Sequence, residues 1–213
     1  MAMTGESAAQ VTSPVLSNRG FAQQAITVFS YAILLAGIIT IGFSTYMAIV
    51  SYSNLPYWDG WIQINAAAAG ENLFTLDWLW SQYNEHRMPI PKLFLLADLH
   101  WFHARQVFLL SSIFVIQFLQ WVLLAWSMRV FGGWRGAVWR TGVGLAAFCL
   151  FCPSQWENLT WGMQVCFVLP GLFASLSFVG LLLYWTRSSE PPNGPSPNWK
   201  YLLLSLAAAL GAT

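Results

Sequence analysis

From Gly20 to Trp58 no side chain of this chain carries a formal charge. The apolar part of that run, about 25–50, is hydrophobic on every side, whereas a helix on the surface of a soluble domain needs a polar face. Further uncharged runs lie between Arg105 and Arg129, between Arg140 and Glu157, from Asn158 to Thr186, and from Tyr201 onward. A helix must be about 20 residues long to cross a hydrocarbon core of about 30 Å. Segments 25–50, 106–128 and 162–186 meet that length. Segment 138–154 covers only about 24 Å at a rise of about 1.5 Å per residue. Trp134 and Trp139 at one end of it and Trp156 at the other stand where interfacial anchors belong, so it reads as a short span or a re-entrant segment. Segment 201–213 reads as an incomplete fifth span, which makes the chain the expected N-terminal part of a longer polytopic protein.

Composition agrees with the runs. Hydrophobic residues make up 57% of the chain and charged residues 8%, against roughly 25% charged in an ordinary soluble domain. Too few polar side chains remain to cover the apolar surface in water, so the first partner is a lipid bilayer. A net charge of +1 supplies no basic field for nucleic acid. The expected fold is an all-α integral membrane protein, a polytopic helical bundle of about five spans. Residues 1–18, rich in Ser, Thr and Ala, read as a disordered tail, and 19–213 as the transmembrane domain.

Orientation follows from the basic residues. With the N-terminus in the cytoplasm, Arg19, Arg129, Arg135, Arg140, Arg187 and Lys200 lie inside, six of the nine Lys and Arg residues. Short basic loops are retained on the cytoplasmic side. The outer loops are then about 51–104 and 154–161, while 187–200, rich in Pro, Ser and Asn, is a plain inner linker. Leu73, Leu76, Trp80 and Tyr83 recur at helical spacing, which predicts a helix lying on the membrane surface. Pro89 and Pro91 should end it, and Lys92 to His103 should resume as a helix leading into the second span.

The outer loops hold most of the polar chemistry. In 81–92, "SQYNEHRMPIPK", an acid, an imidazole and a guanidinium stand in a row. Arg87 can clamp a phosphate with its planar fork, and His86 can donate to the same oxygens or relay a proton; a solvated turn before Pro89 is the plainer reading. Asp59, between two Trp residues, is either an interfacial helix cap or a carboxylate that binds a divalent metal or takes a proton from a hydroxyl. Gln155, Glu157, Asn158 and Gln164 follow in the short loop, and Gln164 already lies inside a span, where it needs a partner. His100 and His103 lack a third metal ligand and read as interface anchors. Cys149 and Cys152 sit within an apolar run and read as packing residues.

Taken together, "YWDGW" at 57–61, "YNEHRMPIPKL" at 83–93 and "CPSQWENLTWGMQ" at 152–164 resemble segments of a group of bacterial multispanning proteins. That group is similar to the GT-C glycosyltransferases, which take a sugar from a polyprenyl-phosphate carrier on the outer membrane face. The resemblance covers about residues 25–170. It implies a multi-pass protein of the bacterial inner membrane and a polyprenyl-phosphate-linked sugar donor. Asp59 matches the essential acid of the first outer loop, although many GT-C members have a paired acidic motif there and this chain has Asp59 followed by Gly60. Glu85 and Glu157 are the other candidate catalytic carboxylates. His86, Arg87 and Lys92 are the candidate phosphate ligands, and Asn84, Gln155, Asn158 and Gln164 the candidate substrate contacts. A divalent metal is compatible with this chemistry and no ligand set for one is assigned. Two other classes compete: a transporter whose polar residues line a pathway, and a non-catalytic assembly subunit whose outer loop docks a partner.

Overall fold

A computed structural model describes residues 15–57, 60–83, 86–188 and 199–211. The first uncharged run is one helix, α1 (Val15–Val50), which stops where Ser51 to Pro56 break the apolar pattern. The next segment folds into short pieces: α2 (Trp61–Ala68), α3 (Leu76–Trp80), the two-residue strands β1 (Gln82–Tyr83) and β2 (His86–Arg87), and α4 (Pro89–Phe102). Then come α5 (Val107–Val130), α6 (Gly136–Leu150), a 3-10 turn over Pro153–Gln155, α7 (Trp156–Thr160), a second 3-10 turn over Gly162–Gln164, α8 (Val165–Ser188) and α9 (Trp199–Gly211). The chain is an all-α polytopic helical membrane protein, its one pair of strands among the described residues being a four-residue hairpin.

Four segments are long and apolar enough to span: Gly20–Val50, Val107–Val130, Gly136–Thr160 and Gly162–Thr186. The third has the lowest mean hydropathy, 1.3 against 2.2 for the others. Its regular helix ends at Leu150, because Pro153 cannot continue the backbone ladder. The fifth apolar helix, Trp199–Gly211, is shorter.

Helix directions alternate along the chain. Arg140 Nε donates to Ser30 Oγ at 3.0 Å near one end of the α1–α6 seam, and Ser44 Oγ donates to the Phe151 carbonyl at 2.5 Å near the other. Residues 30 and 44 therefore pair in order with 140 and 151, and α1 and α6 run parallel. Likewise α5 runs parallel to α8, with Gly162 against Gln106 and Leu109, and Gln120 Nε2 donating to the Gly171 carbonyl and to Ser175 Oγ, each at 3.2 Å. Between these pairs α5 opposes α6, with Trp121 Nε1 on the Val143 carbonyl and Trp139 Nε1 on the Ala125 carbonyl, both at 3.0 Å. Consequently segments 51–106 and 151–164 emerge at the same end of the bundle, the cap end.

The seam between α1 and α6 is made by glycine. A Cβ on Gly37 would lie 2.5 Å from the Gly144 carbonyl oxygen, and one on Gly144 would lie 2.6 Å from that of Ile33. Such close backbone approach is how helices associate in lipid, where burying apolar surface gives no advantage over acyl chains. Most of α1 faces outward: 11% of its most apolar window is buried, against 28% for α5 and α8.

The largest buried cluster sits at the cap end. Leu95 of α4, Leu109, Ile113 and Ile116 of α5, Leu159 of α7, Met163, and Val165, Val168 and Leu169 of α8 form it, with Tyr83, Met88, Ile90 and Trp161 packed against it. Both outer segments thus share one core.

Candidate functional site

Beside that apolar core, two buried ionisable groups tie the elements of the cap together. Lys92, on the first turn of α4, is 3% exposed. Its ammonium donates at 2.7 Å to the Trp78 carbonyl, the Ser81 carbonyl and Ser81 Oγ, and lies 4.9 Å from the centre of the Trp78 ring. An ammonium has three protons, and each has an acceptor. Lys92 therefore fastens the end of α3 and the start of the hairpin to α4. Burial pulls its pKa below the ordinary lysine value.

Asp98, which the sequence reading did not single out, is 2% exposed on the same helix. Its Oδ2 accepts from the Gln106 N–H at 3.1 Å, and the N–H groups of Phe108 and Leu109 also draw on the carboxylate. It thus serves the start of α5, where helix N–H groups lack intrahelical acceptors. Desolvation raises its pKa above the ordinary aspartate value, and those N–H groups offset the rise in part. The link it spans is tight: His103, Ala104 and Gln106 all have positive φ, between 57° and 65°. Each such non-glycine residue costs roughly 1–2 kcal/mol. One signal pointed to Asp98, an acid at helical spacing from Leu95 within an otherwise apolar stretch.

The candidate residues distribute as follows. Asp59, Asn84 and Glu85 lie outside the described residues, as does the side chain of His86. The surface helix expected over 73–83 is corrected: α3 stops at Trp80, Ser81 is extended at φ −60° and ψ 145°, and the chain turns into the hairpin. His86 and Arg87 are therefore strand residues and not a helix end. Gln82 pairs with Arg87, and Tyr83 with His86.

Residues of that hairpin line two cavities. Arg87, which is exposed, stands at an apolar groove of about 530 Å³. Its other walls are the 88–91 segment, Phe167, Leu169 and Pro170 of α8, and Leu210 of α9. No acceptor among the described residues holds the Arg87 guanidinium. Gln82, the strand partner of Arg87, lines a second cavity, a basin of about 640 Å³ of mixed polarity, together with Ile62, Gln63, Asn65, Ala66, Glu71, Trp78 and Lys92. Lys92, expected beside Arg87 at a phosphate, is thus on the basin side and already engaged.

The second outer segment contributes differently. Asn158 Nδ2 donates to Gln155 Oε1 at 2.9 Å, and Gln155 Nε2 donates to the Cys149 carbonyl at 3.1 Å. These two amides tie α7 back to the end of α6. Glu157 is exposed on α7 and lines neither cavity. Gln164 is buried, and its Oε1 has no hydrogen-bond partner among the described residues. In the spans, Gln117 Nε2 donates to the Leu150 carbonyl at 3.3 Å, and with Gln120 it serves contacts between helices. Among the described residues no group of three His, Cys, Asp or Glu side chains gathers as a metal would require.

What the arrangement offers chemically is an apolar groove with a cation at its mouth, next to a basin of amides, a carboxylate and an indole. No family model, no curated protein and no solved structure matches this chain.

Proposed function

We propose that the protein binds a polyprenyl-phosphate-linked sugar at the cap end and transfers the sugar to an acceptor on the extracytoplasmic face. The observation that carries this reading is Arg87: an exposed guanidinium at the mouth of an apolar groove formed with α8 and α9. Such a groove suits an isoprenoid chain, and a planar fork at its mouth suits the phosphate that ends the chain. As the sugar–phosphate bond breaks, negative charge grows on the phosphate, and a fixed cation stabilises it. Asp59 is assigned to take or orient the acceptor proton, with Glu85 as the neighbouring carboxylate. On this reading the cap end faces the outside of a bacterial inner membrane and the N-terminus lies in the cytoplasm, as the basic loops imply.

The test is donor binding and transfer with the protein in nanodiscs and a short polyprenyl-phosphate hexose as probe. Arg87→Ala should weaken donor binding by at least tenfold and lower turnover with it. Lys at that position should restore only part, because a point charge lacks the fork. Asp59→Asn should leave donor binding in place and abolish transfer. Unchanged transfer in both Arg87→Ala and Asp59→Asn would overturn the mechanism.

A further inference from the structure

At the end of the bundle opposite the cap, Arg140 stands inside a spanning segment. Its Nε donates to Ser30 Oγ at 3.0 Å, and its Cζ lies 4.1 Å from the centre of the Tyr31 ring. Ser30 is 1% exposed, and its own hydroxyl proton goes to the Thr27 carbonyl at 2.7 Å, so it is a fixed acceptor. A guanidinium has five N–H donors, and the four on the Arg140 Nη atoms have no acceptor among the described residues. No described carboxylate neutralises it either: Glu71, Asp77, Asp98 and Glu157 all belong to the cap segments. A charged side chain in a span without a protein counter-ion points to a bound one. Its depth says where that ion comes from. Ser30 precedes Val50, the last residue of α1, by 20 positions, or about 30 Å of helix. That equals the thickness of a hydrocarbon core. With Val50 at one boundary, the Arg140–Ser30 contact lies at the other, level with the lipid headgroups.

We infer that Arg140 binds the phosphate of an anionic phospholipid, of the phosphatidylglycerol kind, from the leaflet at that end. A phosphodiester accepts two N–H bonds from a guanidinium and neutralises it. Ser30 and the Tyr31 ring already hold the guanidinium in place, so little side-chain freedom is lost on binding. Below Tyr31 on α1, Leu35 and Ile38 follow at helical spacing, 57% and 50% exposed, an open apolar strip for an acyl chain. Charge decides the class of headgroup. Arg129 and Arg135, both exposed, add positive charge at the same end of the bundle. A zwitterionic lipid would bring its own ammonium towards these cations, whereas a glycerol headgroup leaves the phosphate charge whole. The site is separate from Arg87, which lies at the cap end, and does not rest on the transfer reaction.

Native mass spectrometry of the detergent-solubilised protein tests this, with dioleoyl phosphatidylglycerol and dioleoyl phosphatidylcholine as the titrated probes. The first phosphatidylglycerol should bind about tenfold more tightly than the first phosphatidylcholine. Arg140→Gln should remove most of that preference, and Arg140→Lys should keep part of it. Tyr31→Leu, at an exposed position where folding is not at risk, should lower the preference about threefold, because the ring no longer holds the guanidinium. The double variant Arg129→Gln with Arg135→Gln separates one fixed site from a diffuse basic surface, and it should lose less than Arg140→Gln. Arg87→Ala should leave the preference unchanged while losing the polyprenyl-phosphate donor, so the two sites fail separately. Equal binding of the two lipids, an undiminished preference in Tyr31→Leu, or a loss in the double variant as large as in Arg140→Gln would each overturn the inference.

Discussion

Along the α1–α6 seam the two helices touch through backbone, with Gly37 and Gly144 each leaving no room for a methyl group. At the cap end α3, α4 and α5 are joined instead by a buried ammonium and a buried carboxylate, Lys92 and Asp98. The first contact depends on the absence of side chains and the second on ionisable ones. In lipid, packing at close range is the available attraction between apolar helices. In the cap, backbone ends buried away from water must be satisfied, and polar side chains reach them. A seam of the first kind should fail by steric intrusion and tolerate changes of pH. A cap of the second kind should fail by loss of a partner and respond to pH.

The largest effect is expected at the seam. Gly144→Val places a branched side chain against the Ile33 carbonyl and the Leu34 Cα, both backbone atoms that cannot swing aside. Separation of α1 from α6 should cost on the order of 3 kcal/mol or more, read as a loss of stability in detergent unfolding. Second comes Lys92→Met, which keeps the stem, takes the Lys92 donor from the Ser81 carbonyl and Ser81 Oγ, and removes one of three donors from the Trp78 carbonyl. A loss of about 2–4 kcal/mol is expected, together with weaker donor binding at the Arg87 groove, because the hairpin loosens. Seam variants should leave donor binding intact if they fold, and a Gly144→Val protein with normal stability would dissolve the distinction.

Asp98→Asn comes third, with a cost of about 1–2 kcal/mol from a weakened cap of α5. It also carries the pH signature. Burial raises the Asp98 pKa in the folded state, so the folded protein holds that proton more tightly than the unfolded chain does. Its contribution to stability is complete below the ordinary aspartate pKa and is lost as pH rises through the raised value. Unfolding measured across that window should show a downward slope that Asp98→Asn removes and Gly144→Ala leaves in place. The smallest effect is Gln120→Leu, which deletes interhelical bonds between α5 and α8 at about 0.6 kcal/mol, the usual size of such bonds in a bilayer.

The same contrast marks what was legible in the sequence. Spans are written as uncharged runs, and α1, α5 and α8 fall within a few residues of where charge disappears. Period and hydropathy do not encode partners, so nothing in the sequence paired α1 with α6; that pairing depends on two glycines a hundred positions apart meeting in register. In the cap, the stripe Leu73, Leu76, Trp80 and Tyr83 has helical spacing, yet the helix ends at Trp80, because the Lys92 ammonium holds the Trp78 and Ser81 carbonyls and Ser81 is extended. A tertiary hydrogen bond overrode local periodicity there. Arg87 was legible as a rare charge beside a Pro-x-Pro segment, which opens α4 rather than forming the expected turn. The burial of Gln63 was not, since one of two amides in "WIQINAAA" becomes informative only once the fold encloses it.

The parallel pairing of α1 with α6 also bears on how the protein is made. A ribosome delivers α1 to the membrane before α6, and the residue that receives the Ser44 hydroxyl, Phe151, follows 107 positions later. Through that interval α1 lacks its α6 partner, with its contact glycine, Gly37, bare to acyl chains. Neither α5 nor the long loop before it completes the seam. Membrane insertion and helix assembly are therefore separate events here, and the order of birth is not the order of pairing. Any factor that shields lone helices during synthesis would act on α1 for the whole of that wait, and release it only when α6 arrives.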